Sequence, residues 1–526
     1  MNRLLGLGLA LYLTTTASAV NWLNTNANNL WEDDANWSGG AQPTATDLVI
    51  IGLTGANKAI LSQAGELGQD VLIGNGTAGE MQMTGGSLTA RKLLVGDGVS
   101  GVFDQDSGAI TLTEDVLVGT SGGSGEWNLA GGTVVARKVL AGLSNETTTG
   151  TINQSGGTVT TVENYLTGDN GIATLNMTGG TIHVGLADER ALVLGLSGAL
   201  GSSSTTIAGT AQVFANDAIV GDNARGANTL VVEGTGKLNA GRQGAAFRIG
   251  ANNNVTGNVT VQGSGEINVG ADPLNGVRGP IVVGVNPSAA SVDSATLLVK
   301  DNGIVRAGLL IMADTNNAKG KVTLESGTID ITGGFVVGSS GKVGTIAELN
   351  ISGGLLKAQV LLVNDGANQT GTANITGGSI ELTGSVLVGV DSNLGSALMT
   401  IDAPGTVLTA NNFHLRNNGD VIHRMGDIVL QGSLIITPDA GPGFGQGTYD
   451  LQMGSISMGG DQTGALQAHI GSGLLFSSTP LSKLQLAFDG SRTLLSVSQI
   501  PEPATLTLLV VALCGLYGMG RRANKR

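Results

Sequence analysis

Several residue patterns in this chain have the spacing that chemistry requires, and each asks for a particular local element. Gly96-Asp97-Gly98-Val99-Ser100-Gly101 has the spacing of a dinucleotide-binding turn, where glycines let the backbone approach a pyrophosphate at the start of a helix. Gly119-Thr120-Ser121-Gly122-Gly123 has the spacing of a nucleophile elbow, which lifts a serine hydroxyl on a strand-to-helix turn. Both begin on glycines that close apolar strands, and neither opens a helical pattern. With 86 glycines in 526 residues, such matches arise from composition alone. His183, His414, His423 and His469 are scattered without ligand spacing. Asp97, Asp169 and Asp222 each follow a strand-ending glycine, where aligned carboxylates could hold Ca²⁺. The Gly-Gly-x-Gly-x-Asp calcium repeat is absent, so turn formation is the expected role of these aspartates. Arg91-Lys92 and Arg137-Lys138 stand at equivalent places before a strand-ending glycine and predict a mildly basic surface strip. No catalytic, cofactor-binding or metal-ligating residue is assigned, and no cofactor is expected.

The elements that would have to position such residues are dictated by composition and repetition. Aromatic residues make up 3% and charged residues 13% of the chain, which is far from the composition of an ordinary enzyme. An apolar fraction of 41% argues against disorder. The formal net charge is -14, which makes nucleic acid an unexpected partner. The one cysteine, Cys514, lies in an apolar C-terminal run, so the body must fold without disulfides or thiolate metal sites.

From Val71 to about Leu415 an apolar strand closing on glycine recurs, as in Val71-Leu72-Ile73-Gly74, Leu93-Leu94-Val95-Gly96, Val116-Leu117-Val118-Gly119 and Leu387-Val388-Gly389. Leu310-Ile311-Met312-Ala313 and Leu361-Leu362-Val363-Asn364 are degenerate copies. The spacing runs from 22 residues (Gly74 to Gly96) to 34 (Gly250 to Gly284), within the range of solenoid repeats. Between these strands lies a glycine turn followed by another short strand, as in Thr178-Gly179-Gly180-Thr181-Ile182 and Thr376-Gly377-Gly378-Ser379-Ile380, and an alternating strand precedes it. Three short strands per repeat predict an all-β right-handed parallel β-helix of about 13 coils, with three stacked sheets and glycine at the corners. In the repeat Asn374 to Gly389, Ile375 and Ile380 should face the core, Gly377 and Gly378 turn the corner, and Val386 to Val388 form the stacking strand.

The expected domain order is a signal peptide at 1–19, an N-terminal cap at 20–70, β-helix repeats at 71–415, a β-rich C-terminal cap at 416–499 and a sorting tail at 500–526. Arg3, the apolar Leu4 to Leu13 and the small residues Ala17 and Ala19 compose an export signal cleaved before Val20. Trp22, Trp31 and Trp37 fall together and predict a plug for the open end of the stack, with a sugar-stacking platform as the competing reading. Asp489-Gly490 between two alternating segments predicts a hairpin.

At the C-terminus, Pro501-Glu502-Pro503 precedes the apolar Leu506 to Met519 and a basic end that contains Arg521 and Arg522. The apolar run is a short membrane helix by its hydropathy, with a cytoplasmic basic tail. This order of parts resembles the PEP-CTERM sorting signal of Gram-negative envelope bacteria over about 26 residues. The resemblance implies recognition of Pro501, Glu502 and Pro503 by an exosortase, with Arg521 and Arg522 as the retention signal. It also implies transient anchoring in the inner membrane and release to the cell surface, outer envelope or medium. By texture, the body is similar to the autotransporter-passenger-like β-helices that precede such signals. The expected function is that of a noncatalytic structural or adhesive protein of the envelope or extracellular matrix, in contact with exopolysaccharide or another surface component. The competing expectation is a carbohydrate-active β-helix, either a polysaccharide lyase or a hydrolase.

Overall fold

A computed structural model describes residues 18–499, apart from 53–57, 186–190, 199–200, 225, 242–244, 252–254, 271–277, 286–294, 340–342, 365–367, 390–394, 417, 437–446 and 481. Of the residues singled out from sequence, Ala17, Pro501, Glu502, Pro503, Arg521 and Arg522 lie outside this set. Ala19 lies within it, in the strand Ala19–Asn21, which pairs in parallel with Leu48–Ile51.

The described residues form an all-β parallel solenoid of about 16 turns. It divides into two compact units, Met1–Thr205 and Thr206–Arg526. In the N-terminal unit each turn contributes one strand to each of three parallel ladders. The first ladder holds the glycine-ending strands, among them Asp70–Asn75, Lys92–Asp97, Asp115–Thr120 and Lys138–Leu143. The second holds Gly79–Met83, Ser100–Gln105, Ser124–Leu129, Thr149–Gln154 and Ile172–Met177. The third holds Ser87–Ala90, Ala109–Leu112, Thr133–Ala136, Thr158–Thr161 and Thr181–Val184.

Period-two alternation sets what each strand buries. Val71, Leu93, Val116, Val139 and Tyr165 align in one inward row, and Ile73, Val95, Val118, Ala141 and Thr167 in the next. All ten are at most 1% exposed, so like side chains stack on like from turn to turn and the core is continuous. One member of this row is mismatched: the Tyr165 hydroxyl is buried and has no hydrogen-bond partner among the described residues. An unmet buried hydroxyl costs about 1–3 kcal/mol. Tyr165→Phe is therefore expected to raise stability by about 1–2 kcal/mol, read as a higher denaturant midpoint at unchanged slope.

The C-terminal unit uses the same plan with one variation. Leu309–Met312, Gly334–Val337, Val360–Val363, Ser385–Val388 and Asn412–Leu415 form its glycine-side ladder. From Ile346 onward the other two strands of a turn merge into single long strands, Ile346–Ala358, Thr370–Leu382, Ser396–Ala410 and Gly419–Leu430, which bend through irregular register at the former corner.

Parallel pairing reaches beyond the glycine-marked span at both ends. Leu48–Ile51 pairs with Asp70–Asn75, and Leu434–Ile436 with Asn412–Leu415. These outer strands keep the apolar alternation while departing from the repeat signature, which is why there are about 16 turns where the signature counts about 13. The corner itself is a backbone requirement. Gly96 and Gly119 sit at φ 77° and 70°, and the degenerate copies place Ala313 and Asn364 at φ 57° and 63°, the same left-handed conformation. The corner therefore survives loss of its glycine, at the cost an L side chain incurs there.

At the far end, Ser482–Phe488 and Arg492–Gln499 form the antiparallel hairpin read at Asp489-Gly490. Arg492–Gln499 is the inner of the two and also pairs antiparallel with Ser455–Gly459. The sequence does not announce the α-helix at Thr463–Gly471, because its two glycines and weakly periodic apolar residues hide it. Among the described residues no helix is long and apolar enough to cross a membrane.

Candidate functional site

Outward-facing side chains on a parallel ladder stack directly above one another, so their chemistry depends on what stands one turn away. The four basic residues expected to form a basic strip are each met by a carboxylate. Arg91 makes a bidentate contact with Asp70 and lies 3.6 Å from Glu114, and Lys92 is 3.2 Å from Glu114. Arg137 binds Asp115 through Nε at 3.0 Å and Nη2 at 2.8 Å, and Lys138 is 3.1 Å from Glu163. Four cations face four carboxylates, so the strip is charge-paired, and the basic reading is corrected. Hydrogen bonding to Asp70 and Asp115 holds the two guanidinium groups above their ordinary pKa. These pairs set register more than stability, because half-exposed ion pairs contribute little.

The C-terminal unit shows the same economy. Arg306, Asp330, Lys357 and Glu381 occupy successive positions of one outward row. Arg306 is 3.1 Å from Glu266, Arg278 is 3.2 Å from Asp330, and Lys357 is 3.3 Å from Glu381. A groove of about 430 Å³ runs over Asp330, Lys357 and Glu381.

Asp97 and Asp169, two of the aspartates after the corner glycines, pair chiefly with side chains of the adjacent turn. Asp97 accepts from Asn75 Nδ2 at 2.9 Å, and Asp169 accepts from Asn170 Nδ2 at 3.2 Å and from the Ser197 hydroxyl. Among the described residues, no group of three or more His, Cys, Asp or Glu is placed to hold a metal ion. The dinucleotide and nucleophile-elbow spacings both join strand to strand: Gly96 ends Lys92–Asp97 and Gly101 lies in Ser100–Gln105, while Gly119 lies in Asp115–Thr120 ahead of Ser124–Leu129.

Histidine placement is equally structural. His183 stands beside Thr160 on an outward row, His414 is half-buried in its strand, and His469 lies in the last turn of the helix. His423 is fully buried: Nε2–H donates to the Gly426 carbonyl at 2.9 Å, which leaves Nδ1 to accept from the Tyr449 hydroxyl at 3.0 Å. Burial pushes its pKa down to about 4, so the ring is neutral.

Near the N-terminus, Trp22, Trp31 and Trp37 are 3%, 0% and 1% exposed. Their rings meet edge to face at 5.0 and 4.7 Å, and Trp37 Nε1 donates to the Trp31 carbonyl at 2.7 Å. No ring face is open for a sugar, which removes the stacking-platform reading. Beneath them, burial first and the Glu32 carboxylate second push the Glu66 carboxyl above the usual range. Glu66 has the environment of a general acid, but it is 7% exposed and presents no face to a substrate.

A feature missed from sequence is a chain of amides on the second ladder of the N-terminal unit. Asp104, Asn128, Asn153 and Asn176 occupy one outward row. Asn176 Nδ2 donates to Asn153 Oδ1 at 3.0 Å, Asn153 to Asn128 at 2.9 Å, and Asn128 to Asp104 Oδ1 at 3.0 Å. Lys58 closes the chain at Asp104 Oδ2, 3.4 Å away. A second, shorter chain links Asn374 to Asn350 at 3.0 Å in the C-terminal unit. The legible signal was the recurrence of asparagine three residues before the first glycine of the turn in Asn153-Gln154-Ser155-Gly156 and Asn176-Met177-Thr178-Gly179. No family model, curated protein or solved structure matches the chain.

Proposed function

We propose that this chain is a noncatalytic structural or adhesive protein of the bacterial envelope or extracellular matrix, exported and then sorted through its C-terminal tail. The observation that carries the reading is the use of charge on the outer faces. Carboxylates and cations that a polysaccharide lyase or hydrolase would leave free in one groove are spent in ion pairs, at Asp70 with Arg91 and Asp115 with Arg137, and within the groove over Asp330, Lys357 and Glu381 each charge meets an opposite one. What remains outward is polar and, with a net charge of -14, acidic in balance, suited to repeated weak contact with exopolysaccharide or another surface component. The solenoid winds right-handed, the hand of nearly all parallel crossovers. The tryptophan cluster and the terminal hairpin act as caps that shield the end turns.

Delivery rests on the tail. Pro501-Glu502-Pro503, the apolar Leu506 to Met519 and the closing Arg521-Arg522 support recognition by an exosortase while the apolar run sits in the inner membrane. Removing residues 501–526 is expected to move the protein from the membrane and cell-surface fractions into the soluble periplasm or medium. Unchanged retention of the truncated chain would contradict the sorting assignment.

A further inference from the structure

The amide chain of the N-terminal unit lies along a groove of about 290 Å³ that crosses three successive turns. Asn128, Asn153 and Asn176 line one side, and Ala130, Ser155 and Thr178 stand at the matching positions of the adjoining corner. We infer that this groove binds an uncharged linear polysaccharide laid along the solenoid axis, each turn addressing one sugar residue of the chain. The inference rests on the adhesive reading above and assigns it a place and a ligand class.

The chemistry of the lining selects the ligand. A primary amide carries two N–H donors and a carbonyl with two lone pairs. Asn128 and Asn176 each spend one N–H within the chain of amides, and Asn176 Oδ1 accepts nothing among the described residues. Asn153 spends both of its N–H groups, on Asn128 and on Glu126 Oε1 at 3.4 Å, so amide acceptors stay available at the same height in successive turns, about 4.8 Å apart, and free N–H donors at alternate turns. This repeat is of the same order as the advance per residue of an extended pyranose chain. The hydroxyls of Ser155 and Thr178 face this row across the groove. No lining residue carries charge, and the acidic balance of the whole chain disfavours polyanions. The unidirectional amide chain also fixes each side chain before binding, which lowers the ordering cost on association.

The test is native affinity electrophoresis of the full chain through gels containing a neutral mixed-linkage β-glucan or, separately, polygalacturonate. Retardation in the glucan gel is expected. Ser155→Ala with Thr178→Ala, which leaves the amide chain intact, is expected to weaken it about tenfold, the loss of two hydrogen bonds. Asn153→Ala should weaken it at least as much, while Asn374→Ala, in the other unit, should leave it unchanged. Passage of wild type through the glucan gel without retardation overturns the assignment, as does equal retardation of the Ser155/Thr178 double variant. Retardation by polygalacturonate alone overturns the neutral groove while the adhesive reading stands. Release of the tail-deleted chain from cells bears on delivery alone.

Discussion

Gly119→Ala is expected to destabilise the N-terminal unit by roughly 3–5 kcal/mol, at the upper end for a single substitution. Two effects add. Gly119 sits at φ 70°, where an L side chain costs about 1–2 kcal/mol. A Cβ there would also run into the backbone carbonyl oxygen of Thr149, on a strand of the next turn. That obstacle is main chain, so it can yield only if the strand Thr149–Gln154 moves away and its parallel pairing with Ser124–Leu129 is disturbed. The converse substitution sits at the same corner of the C-terminal unit. Ala313 already holds φ 57°, so Ala313→Gly is expected to stabilise by about 0.5–1 kcal/mol once the greater freedom of glycine in the unfolded chain is deducted. Denaturant unfolding of both variants checks the pair. A neutral Gly119→Ala would mean that the corner conformation is not what closes each turn.

The second large effect is a loss of stability in acid centred on His423. Its pKa falls from 6.5 in the unfolded chain to about 4 in the folded one, chiefly through burial. Between these values the unfolded chain binds the proton and the folded chain does not. The stability is thus fully present above pH 6.5 and is lost as the pH falls through about 4. The difference corresponds to about 3 kcal/mol. Protonation would also turn Nδ1 into a donor facing the Tyr449 hydroxyl and require that hydroxyl to reverse its role. Native-state hydrogen exchange of amides in Gly419–Leu430 and Thr448–Leu451, compared at pH 7 and pH 4.5, is expected to show this loss. His423→Gln should flatten the dependence in that window, and an unchanged slope in the variant would assign it to other groups.

Both effects depend on neighbours a full turn away, Thr149 for Gly119 and Tyr449 for His423, which explains what the sequence disclosed. In Asn374 to Gly389 the alternation alone placed Ile375 and Ile380 inward, and they are 0% and 1% exposed. Val386 and Val388 were legible as the stacking strand for the same reason. Gly378 was legible as a corner and sits at φ 73°. Local pattern suffices for such features because a period of two and a glycine turn are properties of adjacent residues. Register between turns is not. Arg91 looked like a free cation until its strand was set beside Asp70 and Glu114, 21 residues behind it and 23 ahead. The buried Gln105, with neither amide atom partnered among the described residues, reads in the sequence as an ordinary polar residue near a turn. The amide chain has the same origin: asparagines 25 and 23 residues apart become one hydrogen-bonded row only when Ser124–Leu129, Thr149–Gln154 and Ile172–Met177 stack in register.

The proposal of a surface-delivered scaffold rests on what happens to the two ends of the chain, and intact-mass and terminal-peptide mass spectrometry of the protein recovered from the cell surface tests it most directly. The account predicts a mature chain beginning at Val20 and ending close to Pro501-Glu502-Pro503, with the apolar run and Arg521-Arg522 removed. A surface-exposed protein that still carries Arg526 would contradict it.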